Sequence, residues 1–536
     1  MTPAVDFPIA WDDPADAELE WERDDMHMPF AVTPLSADYI RVLFEGMAYG
    51  RAKIQNPWDI LLRFWNGFVY LTGRPFVPIP DEGAAMEALR ERKRALIPTT
   101  AAYWQDEAMP ELRALRDWFR TVAIEGASTA ELVAHWRTAW SLATRAWGIH
   151  FYAIRGPYQV VDDLSDLYES VVPDAPPGEA LRLIQGWAGE LHDVERGLDR
   201  LSAIVIAEPS LRAMFERAEP PSMGELDDAP EAREFVAALR TFLDEHGHLG
   251  GSFDDLAFPS WSEAPEIVLG DIARRMANGG PSADERQAAL RAEADKLADA
   301  VRDRLRDRHD DLSRFERLLA DARSIGPLTE IHNYWIDRLV QACIRQFALR
   351  VGQRLAQTGV IEAGPDILYL TRDEVETLLR SPADRTGTVA ERRTTHAHQT
   401  KMTAPFRAGK TPAEAAEADR FDGARFEPDA DGRLRGTGAS AGIARGTARV
   451  ILGPQDFGRV RPGDVIVAPS SNPSWIPLFT IAGGLLTNTG GVVCHAAVVA
   501  REFGLPAVVG LGDATTRIPD GATVELDGTT GYVRIL

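Results

Sequence analysis

The hydrophobic period changes once along this chain, near residue 381, and that change governs what the chain can fold into. From about residue 36 to 380, apolar residues recur at three- and four-residue spacing among many Ala, Leu, Arg and Glu, which is the pattern of amphipathic helices. Strand signals there are scarce. Beyond the change, short runs of branched apolar residues alternate with Gly, Pro, Asp and Asn turns. They predict strands at 448–452, 465–468, 485–488, 507–509, 523–526 and 532–535. Residues 381–435 are polar and poor in branched apolar residues, as suits an extended linker. The expected architecture is multidomain: a large, mainly α-helical domain over 1–380, a linker over 381–435, and a compact β/α domain over 436–536.

Within the helical region, Ser282 and Glu285 have capping-box spacing, and the charged and apolar residues that follow to Arg323 predict one long helix, or two with a slight break. Residues 246–266, rich in Gly, Pro and aromatics, interrupt the pattern as an irregular loop. Loops of that length inside compact domains are usually functional.

Composition removes several classes of function. A chain of 536 residues exceeds one ordinary core, and 45% hydrophobic residues supply ample apolar material. The formal net charge of -23 argues against non-specific nucleic-acid binding, which needs a basic surface to displace counterions. Cys343 and Cys494 are the only cysteines, far apart and in no metal-ligand spacing, so neither a disulfide framework nor a zinc site is expected. The N-terminus is acidic without an apolar signal core, and no stretch approaches the roughly 18 consecutive apolar residues of a membrane span. These features predict a cytoplasmic protein with neither membrane nor nucleic acid as partner.

The chemistry concentrates in one string, Thr487-Asn488-Thr489-Gly490-Gly491-Val492-Val493-Cys494-His495-Ala496-Ala497-Val498-Val499-Ala500-Arg501-Glu502-Phe503-Gly504-Leu505-Pro506. It reads as the end of a strand, a glycine turn and a short helix that Gly504 and Pro506 stop. His495 falls in the first helical turn, where free N–H groups and the helix dipole favour an anion. Gly490 and Gly491 allow close backbone approach, and Ala496 and Ala497 leave the imidazole unwalled. Thr489, Gly490, Gly491, Cys494 and Ala496 are the expected phosphate contacts. Imidazole is neutral and nucleophilic near physiological pH, so it can carry a phosphoryl group covalently. A histidine at a helix start also serves simply as a cap.

This string resembles the phosphohistidine swivelling domain of the phosphoenolpyruvate-utilising enzymes, a family that includes the rifampicin phosphotransferase and phenylphosphate synthase types. The resemblance covers residues 436–536, with the opening Gly436-Thr437-Gly438-Ala439-Ser440-Ala441-Gly442, the turn Pro462-Gly463-Asp464 and the segment Pro473-Ser474-Trp475-Ile476-Pro477. It implies that His495 is phosphorylated and that its domain swings between a donor and an acceptor site. Val493 departs from the threonine that the dikinases carry there. The helical region more weakly resembles the substrate-binding domain of the rifampicin phosphotransferase type, through Met28-Pro29, Thr33-Pro34-Leu35, Asn66-Gly67, Gly247-His248, Trp261-Ser262-Glu263-Ala264-Pro265 and Asp366-Ile367-Leu368-Tyr369-Leu370-Thr371. Thr329, Glu330 and Asn333 replace that type's Arg, Glu and Lys, which argues for a different acceptor. The split arrangement is closer to phenylphosphate synthase and to two-subunit phosphotransferases that prime hydroxyphenyl ketones such as 4-hydroxyacetophenone or acetovanillone.

No segment reads as an ATP-grasp module and no phosphate-binding P-loop motif is present, so the expected donor is an ATP-grasp subunit in a separate polypeptide. ATP and Mg2+ would be bound by that partner, with no metal or cofactor held tightly in this chain. The resemblance implies conversion of ATP to AMP and inorganic phosphate. For the acceptor, a phenol of pKa about 10 gains from a nearby base. His332 is the expected base or orienting group, supported by Glu330. Expected substrate contacts are His246 and His248 beside Asp254 and Asp255, His150 in its aromatic run, His27 between Met26 and Met28, and Trp335. His396 and His398 read as solvated linker residues. The alternatives are phosphotransfer to a non-phenolic alcohol or antibiotic, or a phosphocarrier or regulatory binding protein without acceptor chemistry.

Overall fold

A computed structural model describes residues 7–536 except 12, 26, 177, 188, 218, 251–254, 403, 411–432, 472–474, 480 and 493. The chain divides into two compact units. One comprises residues 1–156, 253–258 and 335–418, and the other 157–252, 259–334 and 419–536.

The first unit is helical with one small sheet. Its helices Pro34–Lys53 and Thr129–Ala153 lie very close together because glycine permits it: a Cβ on Gly46 would come 2.4 Å from the Cβ of Trp147. The sheet corrects the expectation of a strand-poor region. Strands β1 (Glu20–Arg23), β2 (Trp58–Trp65), β3 (Phe68–Pro75) and β4 (Arg407–Gly409) pair in the order β2-β3-β1-β4. Asn66 and Gly67, at φ +50° and +79°, form the two-residue turn that pairs Trp65 with Phe68, a hairpin geometry that favours Asn-Gly.

The expected linker also needs correction. Thr386–Gln399 is helical and β4 follows it. Arg392 holds Glu374 through two bonds of 2.6 and 2.8 Å, and His396 Nε2 lies 2.8 Å from the Ala31 carbonyl oxygen. His396 is therefore half-buried and engaged, while His398 is exposed as expected. Residues 411–432 of that segment lie outside the described residues.

The second unit begins with a helical layer. The predicted long helix is two, Ala283–Leu305 and His309–Ile325, and the Ser282–Glu285 capping box opens the first. Glu195, from the helix Glu190–Ala207, is buried with Arg275 at 2.7 Å and Arg286 at 2.7 Å, and Arg275 also binds Asp271 at 2.7 Å and Asp199 at 3.0 Å. Burial dominates the Glu195 carboxyl and raises its pKa, against the opposing pull of Arg275.

The C-terminal part of this unit is an eight-stranded sheet. Its strands are β5 (Leu434–Arg435), β6 (Thr437–Ser440), β7 (Ile443–Val450), β8 (Val465–Ala468), β9 (Gly484–Thr487), β10 (Ala507–Val509), β11 (Thr523–Asp527) and β12 (Tyr532–Ile535), in the order β5-β12-β11-β7-β8-β9-β10-β6. The central run β7-β8-β9-β10 is parallel and the flanking pairs are antiparallel. β8, β9 and β10 are buried along their whole length, which explains their uninterrupted apolar runs. The helix His495–Glu502 connects β9 to β10, so it begins beyond the carboxyl end of β9, where open α/β sheets place their ligands.

Candidate functional site

The turn before His495 is fixed by its own hydrogen bonds. The Asn488 N–H donates to the Ala468 carbonyl at 2.9 Å, and both the N–H and the hydroxyl of Thr489 donate to the Pro469 carbonyl at 3.1 Å. The Thr489 hydroxyl, expected at a phosphate, thus fastens the turn to the end of β8. Gly490 follows at φ +112°, and a Cβ there would meet the Cys494 sulfur at 2.6 Å, so glycine is required twice over. Cys494 caps the helix in extended conformation, and its N–H donates to Gly491 at 3.1 Å. Burial pushes its thiol up to about 11, and the N–H groups of Ala497 and Ala496 bond toward the sulfur. Cys494 is therefore a neutral thiol.

His495 stands at the first turn with its side chain only 10% exposed. Nδ1 lies 3.2 Å from Ser471 Oγ, and Nε2 faces the Glu330 carboxylate, 3.8 Å from Oε2. The ring is held at one nitrogen and directed at a carboxylate by the other. Ser471 carries no signal in the local string around His495. It sits three residues past the end of β8, so its proximity follows from β8 and β9 being parallel neighbours.

Of the residues expected at the site, the second unit brings His495 and Glu330 together. Glu330 and His332 both lie on the short helix Leu328–His332 and are buried, at 6% and 4% exposure. Glu330 and His332 are two residues apart, a spacing that does not bring side chains face to face on a helix. His332 instead turns its Nδ1 toward the Leu328 carbonyl, 2.6 Å away. His246 and His248 converge on Tyr334, with His246 Nδ1 2.7 Å from its hydroxyl and the His248 ring edge-on at 4.5 Å. Burial lowers the pKa of His246, so that imidazole is neutral.

The other expected residues belong to the first unit. His150 is buried, with Nδ1 2.7 Å from Asp337 Oδ1 and its ring against Phe151 and Trp147. Trp335 carries Arg113 and Arg116 near its ring at 6.0 and 5.8 Å. The His27 side chain is 56% exposed and lies 3.0 Å from Asp24. Asp255 is buried, accepts from Ser36 Oγ at 2.6 Å and orders its loop. Asp254, Met26, Val493 and residues 473 and 474 lie outside the described residues.

Residues 460–531 match the mobile domain of PEP-utilising enzymes, and residues 163–330 match the fourth domain of rifampicin phosphotransferase. The rifampicin phosphotransferase of Streptomyces sviceus is 32% identical over 59% of this chain and 36% of its own length. An uncharacterized phosphotransferase of Bacillus subtilis, YvkC, is 28% identical over 73% of the chain and 47% of its own length. The chondramide synthase cmdD of Chondromyces crocatus is 30% identical over 99% of the chain, which corresponds to 14% of that protein. The chain spans less than half the length of each of these relatives. No helix among the described residues is long and apolar enough to cross a membrane.

Proposed function

We propose that this chain is the phosphoryl-carrying and acceptor-binding part of an ATP-dependent phosphotransferase. In this reading His495 receives a phosphoryl group from an ATP-grasp subunit in a separate polypeptide. It then passes that group to the hydroxyl of a small, phenolic molecule, and ATP ends as AMP and inorganic phosphate. ATP and Mg2+ belong to the donor subunit, and no residue of this chain is assigned to hold them.

The observation that carries the reading is the 3.8 Å separation of His495 Nε2 from Glu330 Oε2. It joins a nucleophile from the segment that matches a mobile domain to a carboxylate from the segment that matches a rifampicin phosphotransferase domain. Two relatives are phosphotransferases by name, and one of them acts on a small organic molecule.

The chemistry follows from the geometry. Ser471 fixes the imidazole through Nδ1 and leaves Nε2 as the nitrogen that carries phosphorus. During transfer the Nε2–P bond breaks and its electron pair returns to Nε2. The acceptor oxygen forms the new O–P bond and its proton passes to the Glu330 carboxylate, from which the freed Nε2 takes it. Glu330 is thus the acceptor-side base, the role first expected of His332. Little water reaches a pair this buried, so hydrolysis of the phosphoimidazole competes poorly with transfer.

The test is reconstitution with an ATP-grasp donor, γ- and β-labelled ATP and a panel of phenols. Label is expected in an acid-stable phosphate ester, with none formed by His495→Ala. Product formation by His495→Ala at the wild-type rate overturns the reading.

A further inference from the structure

A cavity of about 120 Å3 lies within the second unit, and Glu330 forms part of its wall. Glu330, whose carboxylate faces His495 Nε2, is therefore also a lining residue of this space. Val161, Leu290 and Pro327 line it from the helical layer, and Val498 and Phe503 line it from the His495 helix and its end. These side chains give it an apolar interior.

The charged groups at its margin are already engaged. Arg286 donates to Glu195 at 2.7 Å and to the Pro281 carbonyl at 2.5 Å. Arg501 donates to the carbonyls of Ala439 at 2.7 Å and Val492 at 2.5 Å. His192 lies 2.9 Å from Asp284. An anionic ligand would compete for cations already committed to Glu195 and to backbone carbonyls, whereas a neutral ligand makes no such demand. Size narrows the ligand further. An engineered apolar cavity of about 150 Å3 admits benzene, so a space of this size suits a single ring and not a macrocycle.

We infer that this cavity receives the body of a neutral, single-ring hydroxy compound, with its hydroxyl directed at Glu330. The hydroxyl's onward route to Nε2 rests on the phosphotransfer reading above. The binding itself does not. The acceptor is then selected by volume and by lack of charge, and the His495 helix supplies part of the surface that selects it.

The experiment titrates the full chain with 4-ethylphenol by calorimetry, without nucleotide or donor. Leu290 is half-buried, so both a larger and a smaller side chain can be placed there without opening the core. Wild type is expected to bind one equivalent saturably, and Leu290→Trp, which fills the space, to bind at least tenfold more weakly. Leu290→Ala, which enlarges it, is expected to shift preference toward 4-tert-butylphenol. Thermal melts establish that each variant is folded. Equal affinity of wild type and folded Leu290→Trp, or no saturable binding by wild type, overturns the proposal. Labelling of wild-type His495 by ATP and the donor is read separately. Leu290-dependent binding without any labelling keeps the cavity and removes the phosphocarrier reading, and labelling with binding indifferent to Leu290 does the reverse.

Discussion

Replacing Glu330 by Gln tests the acceptor chemistry with the least disturbance of shape. The amide is isosteric, the site is 6% exposed, and the substitution removes the charge and the proton-accepting capacity facing His495. An acceptor oxygen in line with a phosphorus on Nε2 stands roughly 5 Å from that nitrogen when poised to attack. A point that far from Nε2 and about 2.8 Å from Oε2 exists, because the two atoms are 3.8 Å apart. One carboxylate oxygen therefore reaches the attacking hydroxyl while the phosphoryl group remains on the imidazole. Removing a positioned general base costs about 10²- to 10⁴-fold, which is ~3–5 kcal/mol of barrier at 1.36 kcal/mol per tenfold. The assay is single-turnover transfer, in which His495 is first labelled with radioactive phosphate, the nucleotide is removed, and the acceptor is added in a quench-flow mixer. The expected result is a transfer rate lower by at least 10²-fold, with a flatter dependence on pH. A rate within about threefold of wild type would show that Glu330 takes no proton, and the assignment would fail.

Three further outcomes follow from the same structure. Gly490→Ala should lose most transfer activity and destabilise the second unit by more than about 1 kcal/mol, because φ is positive there and the new methyl meets Cys494; a denaturant titration checks it. Arg275→Met should cost about 3–5 kcal/mol in the same titration, since it leaves Glu195 and Asp271 buried without their shared cation. The folded protein resists protonating His246, so the contribution of that site is full above the ordinary imidazole value of about 6.5 and declines as pH falls through it. His246→Gln should therefore flatten the loss of melting temperature between about pH 7 and 5.

What the sequence discloses and what it hides divide along physical lines. The strands at 465–468 and 507–509 are legible to the residue, because each is a short, fully buried run between turn residues. The hairpin at Asn66-Gly67 is hidden because its strands carry Arg63, Arg74 and half-buried faces and stand among helices. The break after Leu305 has no Gly or Pro to mark it; Arg306, Asp307 and Arg308 continue a helical composition through a turn. The helix Thr386–Gln399 is nearly free of large apolar residues and is held by ion pairs with Glu374 and Asp366, which periodicity does not register.

The site shows the same division. His495 stands out locally, because its glycines and alanines are neighbours in sequence. Ser471 and the cavity lining reach it only through the parallel pairing of β8 with β9 and the packing of the His495 helix, which no local pattern encodes. His332 and Glu330 lie two residues apart, and helix geometry, not residue type, decides which of them meets His495.

The most direct measurement is peptide mass spectrometry at alkaline pH of this chain after incubation with ATP, Mg2+ and its ATP-grasp donor. One phosphoryl group is expected, on the His495 imidazole, lost again when a phenol is added. Product that accumulates while His495 is never modified would contradict it.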